Sequence, residues 1–108
     1  MVLNEQMPGP LRPFLDAEGR INRWPMRQKI QRMAVALLAR RFEPGRDYTE
    51  PEVNMILMGG HTFGDWALLR RVLYDWRYLE RESDCSRYWV SEGAAGRIAA
   101  ALTGSTPG

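Results

Sequence analysis

The sequence predicts an α+β fold that is mainly helical, and three observations predict it. Apolar residues recur at helical spacing in three separate stretches of this 108-residue chain. Two short alternating segments that flank a polar turn follow the third stretch, which is the pattern of a β-hairpin. A smaller hairpin pattern precedes the first stretch. This order of elements indicates a winged helix-turn-helix with three core helices, a two-stranded wing and a small N-terminal β-hairpin.

The first 25 residues combine prolines with one turn pattern. Three prolines within residues 1–13 resist regular structure, so we predict a flexible N-terminal arm there. The next segment, FLDAEGRINRWP, places apolar Leu15 and Ile21 on either side of a turn where Gly19 can take a positive φ, which predicts the small hairpin. Pro25 then suits the first turn of a helix, because its missing N–H costs nothing there.

Two helices follow, separated by a turn at residues 43–48. The first helix, about residues 26–41, has one apolar stripe formed by Ile30, Met33, Ala34, Leu37 and Leu38. The second helix, about residues 50–58, begins at a capping box in which Thr49 and Glu52 each bind the other's backbone N–H. A pair of glycines ends it.

The third helix, about residues 65–77, is amphipathic and leads into the wing. Its buried stripe comprises Trp66, Leu69, Val72, Leu73 and Trp76, and we expect both tryptophans in the core. Its outward face carries Ala67, Arg70, Arg71 and Tyr74. The segments YLERE and SRYWV then flank the turn SDCS, and alternation places Trp89 on one face and, on the other face, Leu79, Tyr88 and Val90.

We place the winged-helix domain at residues 14–90 and a C-terminal tail at residues 91–108. The tail has one short apolar run, residues 98–102, among small residues. Either a short helix or a frayed end fits this pattern.

Three segments carry a family resemblance, and they are GRINRWPMRQK, RFEPGRDYTEPEVN and FGDWALLRRVLYDWRYLERESDCSRYWV. In this order and spacing they resemble a small bacterial winged-helix domain family of unknown function, DUF2087, over roughly residues 14–90. Members of that family stand alone or follow helix-turn-helix regulators, so the resemblance implies a place in transcription control without assigning a reaction. The chain departs from the family pattern at two places. Cys85 replaces a wing-turn glycine, which indicates a wider turn, and Trp76-Arg77-Tyr78 replaces a smaller aromatic-glycine-apolar run, which affects where the third helix ends.

Composition limits the class of protein. An apolar content of 44% with four Trp predicts a folded domain. No run approaches the roughly eighteen apolar residues of a membrane span, and the N-terminus lacks the signal-peptide pattern, so we expect a cytoplasmic protein without membrane contact. One cysteine, Cys85, and one histidine, His61, provide no disulfide framework and too few soft ligands for zinc. We therefore expect neither a metal nor a cofactor.

Charge is unevenly distributed along the chain. Residues 20–46 carry eight Arg or Lys against Glu43 alone, a local net charge of +7, so the rest of the chain sums to −5. Such a surface can meet phosphates or an acidic partner, or it can be a solvated helix face. Residues 65–90, in contrast, balance five Arg with five carboxylates. DNA binding through the third helix and wing therefore needs help from the basic first helix.

The main functional hypothesis is DNA binding by the third helix and wing in transcription regulation. An arginine in the major groove can bind guanine through two hydrogen bonds, while wing arginines contact phosphate or the minor groove. The candidate residues are Arg70, Arg71 and Tyr74 on the helix, Arg81 and Arg87 on the wing, and Arg20, Arg23 and Arg27 near the first helix. The alternative for Arg70 and Arg71 is ion pairing with nearby carboxylates, which is worth little for each pair.

The second hypothesis is a non-catalytic protein-interaction or regulatory module, with a partner in the transcription machinery. An exposed Trp89 beside Tyr74, Tyr78 and Arg87 would form an aromatic and arginine anchor, whereas the alternative is that these aromatics belong to the core. RNA binding has no module signature in this chain. The oligomeric state stays open, with a homodimer as one alternative.

We expect no enzymatic activity. The chain has no Gly-rich phosphate loop, Ser/His/Asp set or metal-ligand pair. His61 follows two glycines and is interpreted as a capping or surface residue, and Glu80 and Glu82 as solubility charges of the wing. Cys85 is a candidate reactive thiol, because the cations of Arg81 and Arg87 nearby favour a thiolate.

Overall fold

The computed structural model describes residues 7–103, which form an α+β fold that is mainly helical. Within these residues there are four α-helices and one two-stranded antiparallel sheet. In chain order the elements are α1 (Gln28–Ala39), α2 (Glu50–Met58), α3 (Trp66–Asp75), β1 (Leu79–Arg81), β2 (Tyr88–Val90) and α4 (Ala94–Thr103). A short 3-10 helix, Arg12–Phe14, precedes α1.

Helix α1 is shorter than predicted and buried on more than one stripe. Pro25 lies before the helix and not in its first turn as predicted. Its carbonyl accepts a hydrogen bond from the Gln31 side chain at 2.8 Å. Val35, Ala36 and Ala39 are buried in addition to the predicted stripe. The reason is that α4 also packs against α1, so the helix contacts the core on two sides.

Both ends of the described chain pack on the core. Met7 and Leu11, which we assigned to a flexible arm, are only 4% and 0% exposed. The predicted tail forms α4, which buries Ile98 and Leu102. Burying these apolar side chains stabilises the fold, so the packed unit extends beyond residues 14–90 on both sides. Residues 1–6 and 104–108 lie outside the described residues.

The predicted N-terminal hairpin is reduced to one bridge, between Leu15 and Ile21, and residues 7–27 contain no regular strand. Gly19 does take a positive φ of 79°, and the Asp16 carboxylate accepts from the backbone N–H of Arg20 at 2.8 Å. Ile21 also forms a parallel bridge with His61. The segment therefore connects to the turn between α2 and α3 instead of continuing as a two-stranded ladder.

The capping box that starts α2 is confirmed. The Thr49 hydroxyl accepts from the Glu52 N–H at 3.3 Å, and the Glu52 carboxylate accepts from the Thr49 N–H at 2.8 Å. The hydrogen bond from the Thr49 N–H lowers the pKa of the Glu52 carboxyl below its ordinary value. After α2, a Cβ added to Gly60 would lie 2.7 Å from the Leu38 side chain, so this close approach to α1 requires glycine.

Helix α3 buries Leu69 and Leu73 but not its first tryptophan. Trp66 is 38% exposed, so its predicted core position is wrong, while Trp76 is partly buried against the core. Trp66 opens the helix, ahead of the two buried leucines, and no residue from 7 to 103 covers it fully.

The end of α3 has the geometry of a Schellman motif with arginine in the glycine position. Arg77 has φ of 61°; its N–H donates to the Tyr74 carbonyl at 3.0 Å, and the Tyr78 N–H donates to the Leu73 carbonyl at 2.9 Å. An L-residue in this left-handed region costs about 1–2 kcal/mol.

We expect Arg77→Gly to raise the free energy of unfolding by about 1 kcal/mol. Glycine takes this φ without a steric cost, and the greater conformational entropy of glycine in the unfolded chain offsets only part of that gain. Urea denaturation measures the change. Arg77→Ala is the control, since it removes the same guanidinium but keeps the strain. A glycine variant no more stable than the alanine variant would show that the backbone of Arg77 is unstrained.

The β1–β2 sheet has the predicted alternation. Leu79 pairs with Val90 and Glu80 with Trp89, and both Leu79 and Tyr88 are buried. Tyr48, two residues before α2, adds an antiparallel bridge to Tyr88 through two backbone hydrogen bonds of 2.8 Å each. The sheet is thereby tied to the segment between α1 and α2.

Candidate nucleic-acid interface

A polar groove of about 700 Å³ runs between α3 and the β1–β2 sheet. We call it the α3–sheet groove, and it is lined by Ala67, Leu68, Arg70, Arg71, Tyr74, Asp75, Arg81, Cys85 and Tyr88. Four of the eight predicted binding residues thus meet in one place: Arg70, Arg71, Tyr74 and Arg81. They come together because α3 presents residues 67, 70, 71 and 74 along one side, and β1 follows α3 after a short turn.

Arg70 is held by α2. Its guanidinium donates to the Asn54 side-chain oxygen and lies 3.3 Å from a Glu50 carboxylate oxygen. Only 23% of the Arg70 side chain is exposed. This residue therefore joins α3 to α2, as the ion-pair alternative for it anticipated, and its charge is already compensated.

Arg71 is the most exposed arginine of the groove. Its side chain is 81% exposed, and its one carboxylate contact among residues 7–103 is with Asp75 at 3.7 Å. An exposed pair at this separation contributes little and yields readily to another anion. The Arg71 guanidinium is therefore available to a ligand.

Arg81 reaches the groove from β1 and is oriented without a carboxylate. Its guanidinium lies 4.3 Å from the Tyr74 ring centroid and donates to the Cys85 sulfur at 2.7 Å. Burial, followed by a hydrogen bond with Cys85, raises the pKa of Tyr88 to about 12. The Tyr88 phenol therefore stays neutral near pH 7, so Arg81 keeps a net positive charge beside it.

Cys85 lies at a strained position of the turn between the strands. Its φ is 62°, which lies in the left-handed region that glycine adopts without steric cost but other residues do not. Its thiol is half-buried. Of the two arginines predicted to lie near it, Arg81 contacts the thiol, whereas Arg87 binds Glu82.

Arg87 does not line the groove. Its guanidinium donates to the Glu82 carboxylate and, at 3.2 Å, to Asp47, and it stacks 4.6 Å over the Trp89 ring. The hydrogen bond to Glu82, followed by the one to Asp47, raises the pKa of Arg87 above its ordinary value. Both partners are carboxylates, so this predicted phosphate contact is largely neutralised.

The three predicted arginines near α1 are Arg20, Arg23 and Arg27. None of them is among the described residues that line the α3–sheet groove. Arg20 pairs with Asp16 at 2.8 Å; burial alone would raise the pKa of that carboxyl, but hydrogen bonds from Arg20 bring it below its ordinary value. Arg23 stacks 4.5 Å over the Phe14 ring, and Arg27 is exposed at the N-cap position of α1. These residues form no single site with α3.

His61 lies between α2 and α3 and fixes their relation. It is 4% exposed, its Nδ1 contacts the Leu57 carbonyl, and its Nε2 accepts from the Asp65 N–H at 2.9 Å. A neutral ring with the proton on Nδ1 satisfies both contacts. The capping interpretation thus fits. The surface interpretation is wrong, because the residue is buried and the Phe63 ring packs edge-on against the imidazole with the ring centroids 4.7 Å apart.

The carboxylates and the amide that hold the arginines were missed from the sequence. Asn54 lies 16 residues before Arg70, and Asp47 lies 40 residues before Arg87. Neither separation has a periodic signature. The sequence offered one hint. Helix α2 is short, buries only Val53 and Leu57, and carries the polar residues Glu50 and Asn54.

Within residues 7–103, no group of three or more His, Cys, Asp or Glu is arranged to hold a metal ion. Over the same range, no helix is both long and apolar enough to cross a bilayer.

Comparison with known proteins places the chain in a family. No curated protein and no solved structure matches it. A family model does match, over residues 20–90, and its description is "Uncharacterized protein conserved in bacteria (DUF2087)". Since the matched segment is more than half of the 108 residues, the chain belongs to the DUF2087 family, a bacterial family of unknown function.

Proposed function

We propose that this is a cytoplasmic, non-catalytic winged-helix protein that binds DNA in transcription control. The observation that carries the proposal is the α3–sheet groove, where Arg71 and Arg81 face solvent side by side with Tyr74. In residues 7–103, no carboxylate lies within ion-pair distance of Arg81, and the one near Arg71 is 3.7 Å away. Two available guanidinium groups on one groove suit a phosphate backbone.

The connectivity supports a winged-helix interpretation of this groove. In a winged helix the third helix enters the major groove, the following hairpin lies beside it, and a short strand between the first two helices adds to that hairpin. Here α3 leads directly into β1 and β2, and Tyr48 bridges to Tyr88 from the segment between α1 and α2. The order of three helices and a hairpin was expected from the sequence, whereas the bridge at Tyr48 was not.

Within this proposal the groove residues have different roles. Arg71 and Arg81 contact DNA, Tyr74 orients Arg81 through its ring, and Arg70 positions α3 through Glu50 and Asn54. Because residues 65–90 are formally neutral, we expect weak binding to mixed sequences. Arg23 and Arg27 are the remaining exposed candidates for a second contact.

Fluorescence anisotropy with a mixed-sequence duplex tests the function. We expect binding at about 50 mM salt that weakens by about tenfold or more at about 200 mM, because each phosphate contact releases counterions. Absence of binding at the lower salt would contradict the proposal. Binding that does not respond to salt would also contradict it, since a phosphate footprint requires that response.

A second candidate function is that of a protein-interaction module. The surface that supports it lies on α2 and is not the predicted surface around Trp89. Tyr78, one of the predicted anchors, is 5% exposed and belongs to the core. Met55 and Met58, one turn apart on α2, are instead 72% and 53% exposed, and Met26 is 93% exposed. Exposed methionines adapt to varied apolar partners, so we propose this α2 face as the interaction surface if DNA binding fails.

A further inference from the structure

A second groove, beside α1 and α4, is not used by the proposed DNA contact. It has a volume of about 800 Å³, and its walls are α1, α4, the C-terminal end of α3 and residues 8–10. We call it the α1–α4 groove. Its volume lies within the range of about 300–1,000 Å³ that is typical of small-molecule sites.

Positive charge surrounds this groove without compensation. Lys29 and Arg32, three residues apart on α1, border it from one side, and Arg97 of α4 borders it from the other. No Asp or Glu of residues 7–103 lines the groove, and in the same range neither Lys29 nor Arg32 forms an ion pair. The first turn of α1 also contains no acidic residue. The groove is therefore complementary to an anion.

Arg97 is fixed before any ligand arrives. Its guanidinium donates to the carbonyls of Trp76 and Arg77 at 2.7 and 2.9 Å, and it stacks 4.4 Å from the Tyr78 ring centroid. A charge that is already oriented costs less entropy to engage than a free side chain. The site thus has one ordered cation facing two exposed ones.

The remaining surface of the groove is largely apolar. Met33 and Trp76 line it, and on α4 the small side chains of Ala100 and Ala101 leave space between the helices. Trp76 is only partly buried, so its indole is accessible to a flat ring. Burial of such a ring supplies affinity that exposed cations alone do not provide.

We propose that the α1–α4 groove binds a small organic anion in which one carboxylate is joined to a flat aromatic body. The carboxylate lies between the cations of α1 and Arg97, and the ring lies against Trp76 and the α4 alanines. This inference is independent of the proposed DNA contact, because none of its residues lines the α3–sheet groove.

Titration of the full chain with 1-naphthoate tests the inference, with tryptophan fluorescence for affinity and ¹H–¹⁵N chemical shifts for location. We expect saturable binding, shifts centred on Trp76 and Ala100, and about tenfold weaker binding of the neutral 1-naphthamide. Lys29→Gln with Arg32→Gln, both at exposed positions, should weaken naphthoate by about tenfold as well.

Arg23→Gln with Arg71→Gln is the matched control, since it removes two exposed charges outside the groove and should leave the affinity unchanged. The inference is overturned if naphthoate does not saturate by about 10 mM. It is also overturned if naphthamide binds equally well, if the control loses as much affinity, or if the shifts centre on Met55 and Met58. Thermal melting of each variant shows that it is folded.

Discussion

Replacing Arg71 and Arg81 together by alanine is expected to lower the affinity for mixed-sequence DNA by about thirtyfold at about 50 mM salt, which is about 2 kcal/mol. Both guanidinium groups border the α3–sheet groove, and neither is a main support of the fold. Arg71 is 81% exposed, and Arg81 contacts a ring and a thiol rather than a carboxylate. Their loss should therefore reduce binding without unfolding the protein.

Lys29→Ala with Arg40→Ala is the matched control for this prediction, because it also removes two exposed positive charges but from α1. We expect this variant to bind DNA within about threefold of the native chain. Equal losses in the two double variants would show that DNA affinity follows the number of positive charges and not the α3–sheet groove. A normal affinity of the Arg71 and Arg81 variant would rule out α3 and the sheet as the contact surface.

The second large effect is expected at His61, where alanine should lower the free energy of unfolding by about 3 kcal/mol and the melting temperature by about 15 °C. His61 is buried, and its ring connects the Leu57 carbonyl at the end of α2 to the Asp65 N–H at the start of α3. Alanine leaves the Asp65 N–H without the acceptor that the ring provides, and it creates a cavity. It also removes one contact of the Leu57 carbonyl, which still accepts from the Gly60 N–H at 3.0 Å. Differential scanning calorimetry measures the change.

His61→Phe separates the two causes, because phenylalanine keeps the ring volume and removes both hydrogen bonds. We expect it to recover only the packing part, so that it stays about 2 kcal/mol less stable than the native chain. Native stability of the phenylalanine variant would show that the two hydrogen bonds contribute nothing. Thr62→Ala, an exposed neighbouring position, should change stability by less than about 0.5 kcal/mol.

The predicted losses of DNA affinity and of stability both concern α3, which is held by contacts at its start, middle and end. His61 and Asp65 hold its start, Arg70 joins its middle to α2, and Arg97 of α4 binds the carbonyls at its end. A helix supported in this way keeps the backbone that carries Arg71 in one position. Such rigid support favours binding, because fewer degrees of freedom are lost when DNA is contacted.

The parts of the fold that depend on nearby residues could be predicted from the sequence. The Thr49 and Glu52 capping box lies within one helical turn, and the β1–β2 alternation follows from the side-chain period of two. The outward face of α3 was also predicted, because one helix face collects residues three and four apart. That face proved to line a groove through Arg70, Arg71 and Tyr74.

The parts that depend on distant residues could not be predicted in this way. Arg70 and Arg87 were treated alike as candidate DNA contacts, but each has a distant partner. Arg70 pairs with Glu50 of α2, and Arg87 pairs with Asp47 in addition to the nearby Glu82. Burial of Met7 was hidden by the prolines around it, and Trp66 was assigned to the core from periodicity alone. Tertiary packing decides these cases, and one sequence carries no record of it.

The dependence of DNA affinity on salt, compared between the native chain and the Arg71→Ala, Arg81→Ala variant, tests the proposed phosphate contacts most directly. If both arginines contact phosphates, the slope of log K against log salt should be shallower in the variant by about 1.8, which is about 0.9 for each lost contact. Equal slopes, whatever the affinities, would show that neither arginine meets the DNA backbone and would contradict the proposed interface.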